Sequence, residues 1–395
     1  MLPAPTCIFH CSKADKKLKP IVIEIDHPTN SSSVFAGKVA VLPFRRTSSI
    51  TNLDQDQEED HEEWKWLIAK TAVRCADTNY FQSVSHYLYG HLAPEIVAVS
   101  AHRSLPKAHP IMRFLEPHFR GTIIPNTFAR SVILDRVLTT MSIKGAIPEL
   151  LHKAWHDNDL HDRLLCFPKD LKHRNISKDV LPDYPYRDDG GLVYGAIKKY
   201  ASSFVQEVYP SDELLNQDVY VENFQLEMTN TGYFGWDNNE TPSAPSQPLT
   251  SSRGVLIDFL SSAVFNATAT HGTMNYNMYE TLGFAPSNPF VIRRLPPSDN
   301  WEQEHCTKEG YLGLLPSLEN AAMNSMAAFL SERNEHDEML GEFDNLSGEF
   351  LGSVARKRLH LDLAQISKFC KDRNEKRSIK YDLLIPSNIT NSVVA

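Results

Sequence analysis

The sequence predicts a mainly α fold, one large helical domain around a long bulged central helix, with a few short strands. Three observations carry that expectation. The segment from about Trp64 to Ala101 has apolar residues on nearly every side, as a helix wrapped by others requires. A second segment of the same kind runs from about Gly254 to Tyr279. Third, His86 and His91 lie five positions apart on the first segment, and only a locally overfilled helix turns both rings to one side.

Taken in chain order, "KPIVIEI" (Lys19 to Ile25) is short and β-branched, and reads as a strand. From Thr47 the chain turns polar, with seven Asp or Glu between Asp54 and Glu63. That run reads as a solvated loop feeding the central helix, since acids are favourable at a helix N-terminus; a recognition tail is the competing reading. "RSLPKAHP" (Arg103 to Pro110) interrupts the helix with prolines, and helical pattern resumes from Met112 to about Leu151. "YPYRDDGG" leads into a helix over roughly Leu192 to Val208, while "DNNETPSAPSQPLTSSR" (Asp237 to Arg253) is a loop by composition. Helices near Ser317 to Arg333 and Ser347 to Arg373 precede an irregular tail. No fixed-period repeat is visible, and residues 1–395 read as one domain.

Composition narrows the function classes. With 395 residues, 42% of them hydrophobic, the chain can bury a large core. A net charge of -9 argues against a nucleic-acid partner, which needs concentrated Lys and Arg. No run of eighteen uncharged apolar residues predicts a membrane span, although peripheral membrane contact stays open. The start "MLPAPTCIFHCSKADKK" lacks the features of a secretory signal, and the six cysteines show no CxxC spacing. Reduced thiols and a cytoplasmic location are expected.

A lone buried histidine is ordinarily a hydrogen-bonded core residue. Two on one buried helix carry a desolvation cost that a metal offsets. In a regular α-helix, His86 and His91 diverge by roughly 140°; one extra residue in the turn recovers about 100° and leaves about 40°. The second helix carries His271 and Asn275 at i,i+4 spacing in "THGTMN". A carboxamide is a weak oxygen ligand, and its ordinary role is buried hydrogen bonding. Imidazoles with oxygen donors and an open position suit a redox-active iron better than tetrahedral zinc.

The block from Trp66 to Arg130, "WLIAKTAVRCADTNYFQSVSHYLYGHLAPEIVAVSAHRSLPKAHPIMRFLEPHFRGTIIPNTFAR", resembles the central signature of lipoxygenases of the iron type. So do "YPYRDDGG", "VYPSDE", "THGTMNYNMYETLGFAPSNP" and the ending "PSNITNSVVA", in family order over nearly the whole chain. The resemblance implies a helical catalytic domain holding one non-haem iron. Its ligands would be His86, His91, His271, Asn275 and the main-chain carboxylate of Ala395. Gln82 matches the glutamine that links iron and substrate pocket, Ala129 the position that sets product stereochemistry, and Ile133 a leucine that clamps the substrate. A bis-allylic C–H is too weak an acid for side-chain bases. The implied reaction is therefore iron-dependent addition of O2 to a polyunsaturated fatty acid, such as linoleate or arachidonate, giving an S hydroperoxide. A hydroperoxide isomerase of the same fold and an inert lipid-binding fragment are the alternatives. The chain departs from the family at Ala395, usually isoleucine, at Phe81, often histidine, at Ile133, and at Thr78, often a bulky pocket residue. It also lacks the helices that precede "PTCIFHC" in the family and the N-terminal β-sandwich of many members, so it reads as a shortened form.

Overall fold

A computed structural model describes residues 3–12, 14, 17–26, 38–44, 53–131, 146–294, 306–329, 331, 333, 337–343, 352–377 and 379–393. Among the described residues the architecture is mainly helical with three strands, in line with the few strands expected. The chain divides into two compact units. The first comprises Met1–Gln82, Val132–Pro148 and Met278–Leu330; the second comprises Ser83–Ser131, Glu149–Asn277 and Ser331–Ala395. Among the described residues, no helix is long and apolar enough to cross a membrane. All six cysteines are unpaired.

The first unit holds an antiparallel sheet of β1 (Ala4–Cys11), β2 (Leu18–Asp26) and β3 (Lys38–Val41), in that order. The strand expected at Lys19 to Ile25 lies within β2. Its register shifts between Ile8 and Phe9, where Pro20 stands opposite Phe9 and offers no backbone N–H to the ladder. Ile23, Ile25 and Val41 point inward and cluster with Trp66, Ala69 and Ala72 of the helix Leu53–Tyr80. That helix begins earlier than expected. The acidic run from Asp54 to Glu63, read as a loop, instead forms its first turns. Carboxylates near the free N–H groups of a helix start favour this outcome.

The helical run continues through a π-helical segment, Phe81–Leu92, into Ala93–Ser104. Pro94 follows the wide turns directly, where the lost i→i−4 donor and the bulk of its ring are accommodated. The expected helical stretch from Met112 to Leu151 resolves into Pro110–Phe119, Ile123–Phe128 and Ala146–Trp155, with residues 132–145 outside the described set. The helix expected from Leu192 starts at Pro185, because Tyr184 is extended and proline suits the first helical position. Gly190 in "DDGG" has a packing reason: a Cβ there would sit 2.9 Å from the Phe167 ring.

The core of this second unit is aromatic and aliphatic. Phe114 stacks on Tyr200 with ring centroids 4.8 Å apart, and the helices Pro185–Val208, Arg253–Phe265 and Ser353–Asn374 pack about it. Within the described residues, 384–386 and 389–393 of the irregular C-terminal segment are buried in this unit. His118 Nδ1 lies 3.0 Å from the Asn391 carbonyl, and Tyr276 donates to Thr390 Oγ1 at 3.0 Å. Backbone bonds join Leu340 N to Ile389 O and Asn391 N to Glu338 O.

One polar cluster ties three segments. The His109 ring accepts from Ile111 N, so its other nitrogen donates to Asp218 Oδ2 at 3.1 Å. Tyr209 donates to the same oxygen, and Asp218 Oδ1 caps the helix Val219–Thr229. Burial alone would raise the Asp218 pKa; hydrogen bonds from His109 and Tyr209 overcome it and bring the pKa down to about 2. A carboxyl depressed below its unfolded value of about 3.9 stabilises the fold above that pH and loses its contribution as pH falls toward 2. Asp218→Asn should therefore cost about 1 kcal/mol at pH 7, allowing for partial solvent access. The difference should shrink between pH 4 and 2. Urea midpoints of the two proteins across that range check this, and a pH-independent difference contradicts it.

Candidate metal centre

The π-helical segment Phe81–Leu92 carries both His86 and His91. One overfilled turn was expected; twelve residues are involved. The helix Arg253–Phe265 also widens, through a second π-helical segment, Asn266–Thr270, before His271–Asn275. Plain i,i+4 spacing of His271 and Asn275 gave no sign of it. Buried hydroxyls there are satisfied locally: Thr268 donates to Val264 O and Thr273 to Thr270 O, bonds that compete with regular α-helical pairing.

Three imidazoles converge. His91 Nε2 lies 3.0 Å from His86 Nε2 and 3.2 Å from His271 Nε2. Among the described residues, these three form the only histidine, cysteine or carboxylate cluster suited to a metal ion, their donor atoms all within 4.8 Å. All three are buried. Desolvation by burial lowers each pKa, reinforced at His86 and His271 by the neighbouring imidazoles. His91 is pushed down to about 4 by burial, against a hydrogen bond with Asn126 that raises it. Near neutral pH all three rings are therefore uncharged.

The hydrogen bonds around His91 fix its tautomer. Asn126 Nδ2 donates to His91 O at 3.0 Å and to Glu95 Oε2 at 3.1 Å. Asn126 Oδ1 then faces His91 Nδ1 at 2.9 Å and can only accept, so Nδ1 carries the proton and Nε2 a lone pair. A single lone pair cannot accept well from two neighbouring rings at once. A cation at the shared point satisfies all three. The spacing fits such an ion: metal–nitrogen bonds of about 2.1 Å place neighbouring donors about 3.0 Å apart at right angles and about 3.4 Å apart at tetrahedral angles. The observed 3.0 Å matches the right-angled spacing and 3.2 Å lies midway between the two. Thus the residues present fit a non-haem metal.

Of the other expected site residues, Asn275 is buried, shares a hydrogen bond with the His86 ring, and donates from Nδ2 to Ser331 O at 3.2 Å. Gln82 is buried within the π-helical segment. Ala129 is buried at the end of the helix Ile123–Phe128, beside Arg130. Thr78 is buried and Phe81 half-buried. Ile133 and Ala395 lie outside the described residues. Asn126 and Glu95 were missed; the signal was a carboxylate four residues after His91 and an amide in "NTFAR", both on buried segments.

Comparison with known proteins agrees with this geometry. The sequence model of the lipoxygenase family matches residues 3–383. The polyunsaturated fatty acid lipoxygenase ALOX8 of Mus musculus is 27% identical over 401 residues, covering 99% of this chain and 54% of the relative. The hydroperoxide isomerase ALOXE3 of Homo sapiens is 30% identical over 342 residues, covering 84% and 46%. Among solved structures, a calcium-dependent 11R-lipoxygenase superposes with a TM-score of 0.85 at 25% identity, covering 100% of this chain and 55% of that one. A coral 8R-lipoxygenase gives 0.85 at 26% identity, covering 99% and 56%. This chain spans about half the length of the curated relatives it matches.

Depressed histidine pKa values set a pH dependence. Below about 6.5 the unfolded chain binds protons that the buried rings refuse, so stability must fall with pH, by up to about 1.4 kcal/mol per unit for each ring. For His91 the loss runs down to about pH 4. Chelator-treated protein should therefore lose urea resistance steeply from pH 6.5 to 5, and added Fe2+ or Co2+ should raise its urea midpoint at pH 7 by binding the folded rings. Flat midpoints with pH, or no response to metal, contradict the site.

Proposed function

The chain belongs to the lipoxygenase family, and on that premise we propose that it is a non-haem iron dioxygenase adding O2 to a polyunsaturated fatty acid. The observation that carries this reading is the convergence of three neutral, buried imidazoles, with His91 Nε2 3.0 Å from His86 Nε2 and 3.2 Å from His271 Nε2 and all three donor atoms within 4.8 Å. His86, His91 and His271 would hold the iron, Asn275 would offer its carboxamide oxygen, and the Ala395 carboxylate is the fifth ligand the family pattern assigns. When bound, the iron supplies the one-electron chemistry that a C–H of such low acidity requires.

The remaining work falls to this chain's own side chains. Burial of the three rings excludes water and keeps them unprotonated, so proton competition for the nitrogens is weak near neutral pH. Gln82 is assigned the link between the metal and the substrate pocket, and Ile133 the clamp on the acyl chain. Ala129 presents one methyl group, and that methyl would cover one face of a planar pentadienyl radical.

Hydroperoxide isomerisation is the second reading, favoured by matches to relatives of that name at 29–30% identity. Oxygen uptake with linoleate, recorded beside conjugated-diene absorbance, separates the two. A dioxygenase shows both signals, whereas an isomerase consumes added hydroperoxide without oxygen uptake.

For the dioxygenase, the parent should give mainly S product. Ala129→Gly should shift it toward an R product of different regiochemistry. About 1.4 kcal/mol between competing routes is a tenfold change in ratio, and one methyl group in a packed pocket is worth roughly that. Chiral-phase chromatography of the products reads the outcome, and racemic product from both proteins contradicts stereocontrol by the pocket.

A further inference from the structure

Beyond the ligands, the outer nitrogen of His91 meets a built network. Its Nδ1 proton goes to Asn126 Oδ1 at 2.9 Å. Asn126 cannot rotate, because its Nδ2 is held by His91 O and Glu95 Oε2. Glu95 is itself clamped: Arg130 donates through Nη1 to Oε2 at 2.5 Å and through Nη2 to Oε1 at 2.8 Å. This is a two-pronged guanidinium–carboxylate pair, with defined direction as well as charge. Glu95 is buried, so its carboxylate depends on that partner. Arg130 follows Ala129 directly in the chain.

We infer that Asn126, Glu95 and Arg130 are one positioning unit, which aims His91 Nε2 at the metal and fixes the backbone bearing Ala129 against the same helix. The inference deepens the iron reading and rests on it. Its distinguishing claim is reach: Arg130 contacts no imidazole in this network, yet removing it frees Glu95, then Asn126, then the His91 ring. Outer partners of ligating histidines characteristically change metal affinity by about 10–100-fold. In a variant that stays folded without metal, loss of an ion pair that only stabilised the fold would leave affinity alone.

Cobalt binding tests this without relying on turnover. Metal-free parent, Asn126→Leu, Arg130→Met, Arg130→Lys and Glu95→Gln are titrated with Co2+ against a chelator, and the visible absorption of bound Co2+ reports the ligand arrangement. Thermal unfolding of each metal-free protein identifies any variant that has not folded. Asn126→Leu should weaken binding about 10–100-fold and shift the cobalt band. Arg130→Met should weaken it about tenfold, with Arg130→Lys and the isosteric Glu95→Gln falling between it and the parent. Unchanged affinity and band in folded Asn126→Leu overturn the inference. Unchanged affinity in folded Arg130→Met, with Asn126→Leu impaired, overturns the reach to Arg130. If Asn126→Leu or Arg130→Met fails to fold, Glu95→Gln decides by the same two readouts. No cobalt binding by the parent would instead overturn the iron reading beneath it. Product chirality then tests the second half: folded Arg130→Met that still binds iron should lose part of the parent's stereochemical purity, and unchanged purity overturns the link to Ala129.

Discussion

Imidazole nitrogens aimed at one another inside a protein do not stay there by mutual attraction, and much of this structure is what holds them. His91 has one lone pair facing two neighbours, and all three rings are buried. Such a cluster is unfavourable when empty of charge and favourable around a cation. The folding free energy and the metal affinity are therefore not separate quantities, since the work of gathering the rings is recovered only when an ion arrives. Burial serves both sides of that exchange: it raises the cost of the bare cluster and removes the proton as a competitor.

Both helices that supply the rings are distorted where they supply them. The i,i+5 spacing of His86 and His91 makes this legible for the central helix, because no regular helix turns both to one point. It is illegible for the partner helix, where His271 and Asn275 keep ordinary spacing and the widening lies just upstream in Asn266–Thr270. Threonine, asparagine and alanine there read as a plain buried helix, and only hydroxyls bonding back to carbonyls reveal a segment that has left α geometry. Likewise, periodicity placed the main helices but misjudged their starts. Charges at Asp54 to Glu63 and the proline at 185 look like loop chemistry, yet both suit the first turn of a helix.

The limits of the sequence at the site have a similar cause. Residue types with a spacing rule, such as the paired histidines, announce themselves. Residues that act through direction do not: Asn126 matters because its two donors are taken and its oxygen is left facing His91, and Glu95 because Arg130 holds both its oxygens. Nothing in a linear string states which way a carboxamide points. Family resemblance supplied roles for Gln82 and Ala129, and the structure adds that both are buried.

The wide segment Phe81–Leu92 also acts as a phase shifter. Every residue after it inherits the rotation it introduces, so the face of Ala93–Ser104 that carries Val97, Ala98 and Ala101 into the core is set by the same insertion that pairs the histidines. Relaxation to regular α geometry would not simply part the two rings. It would turn that apolar stripe away from the helix Val219–Thr229 on which this segment packs. The downstream core thus works as a latch on an otherwise unfavourable winding, and the metal site keeps its shape through side chains that never approach it.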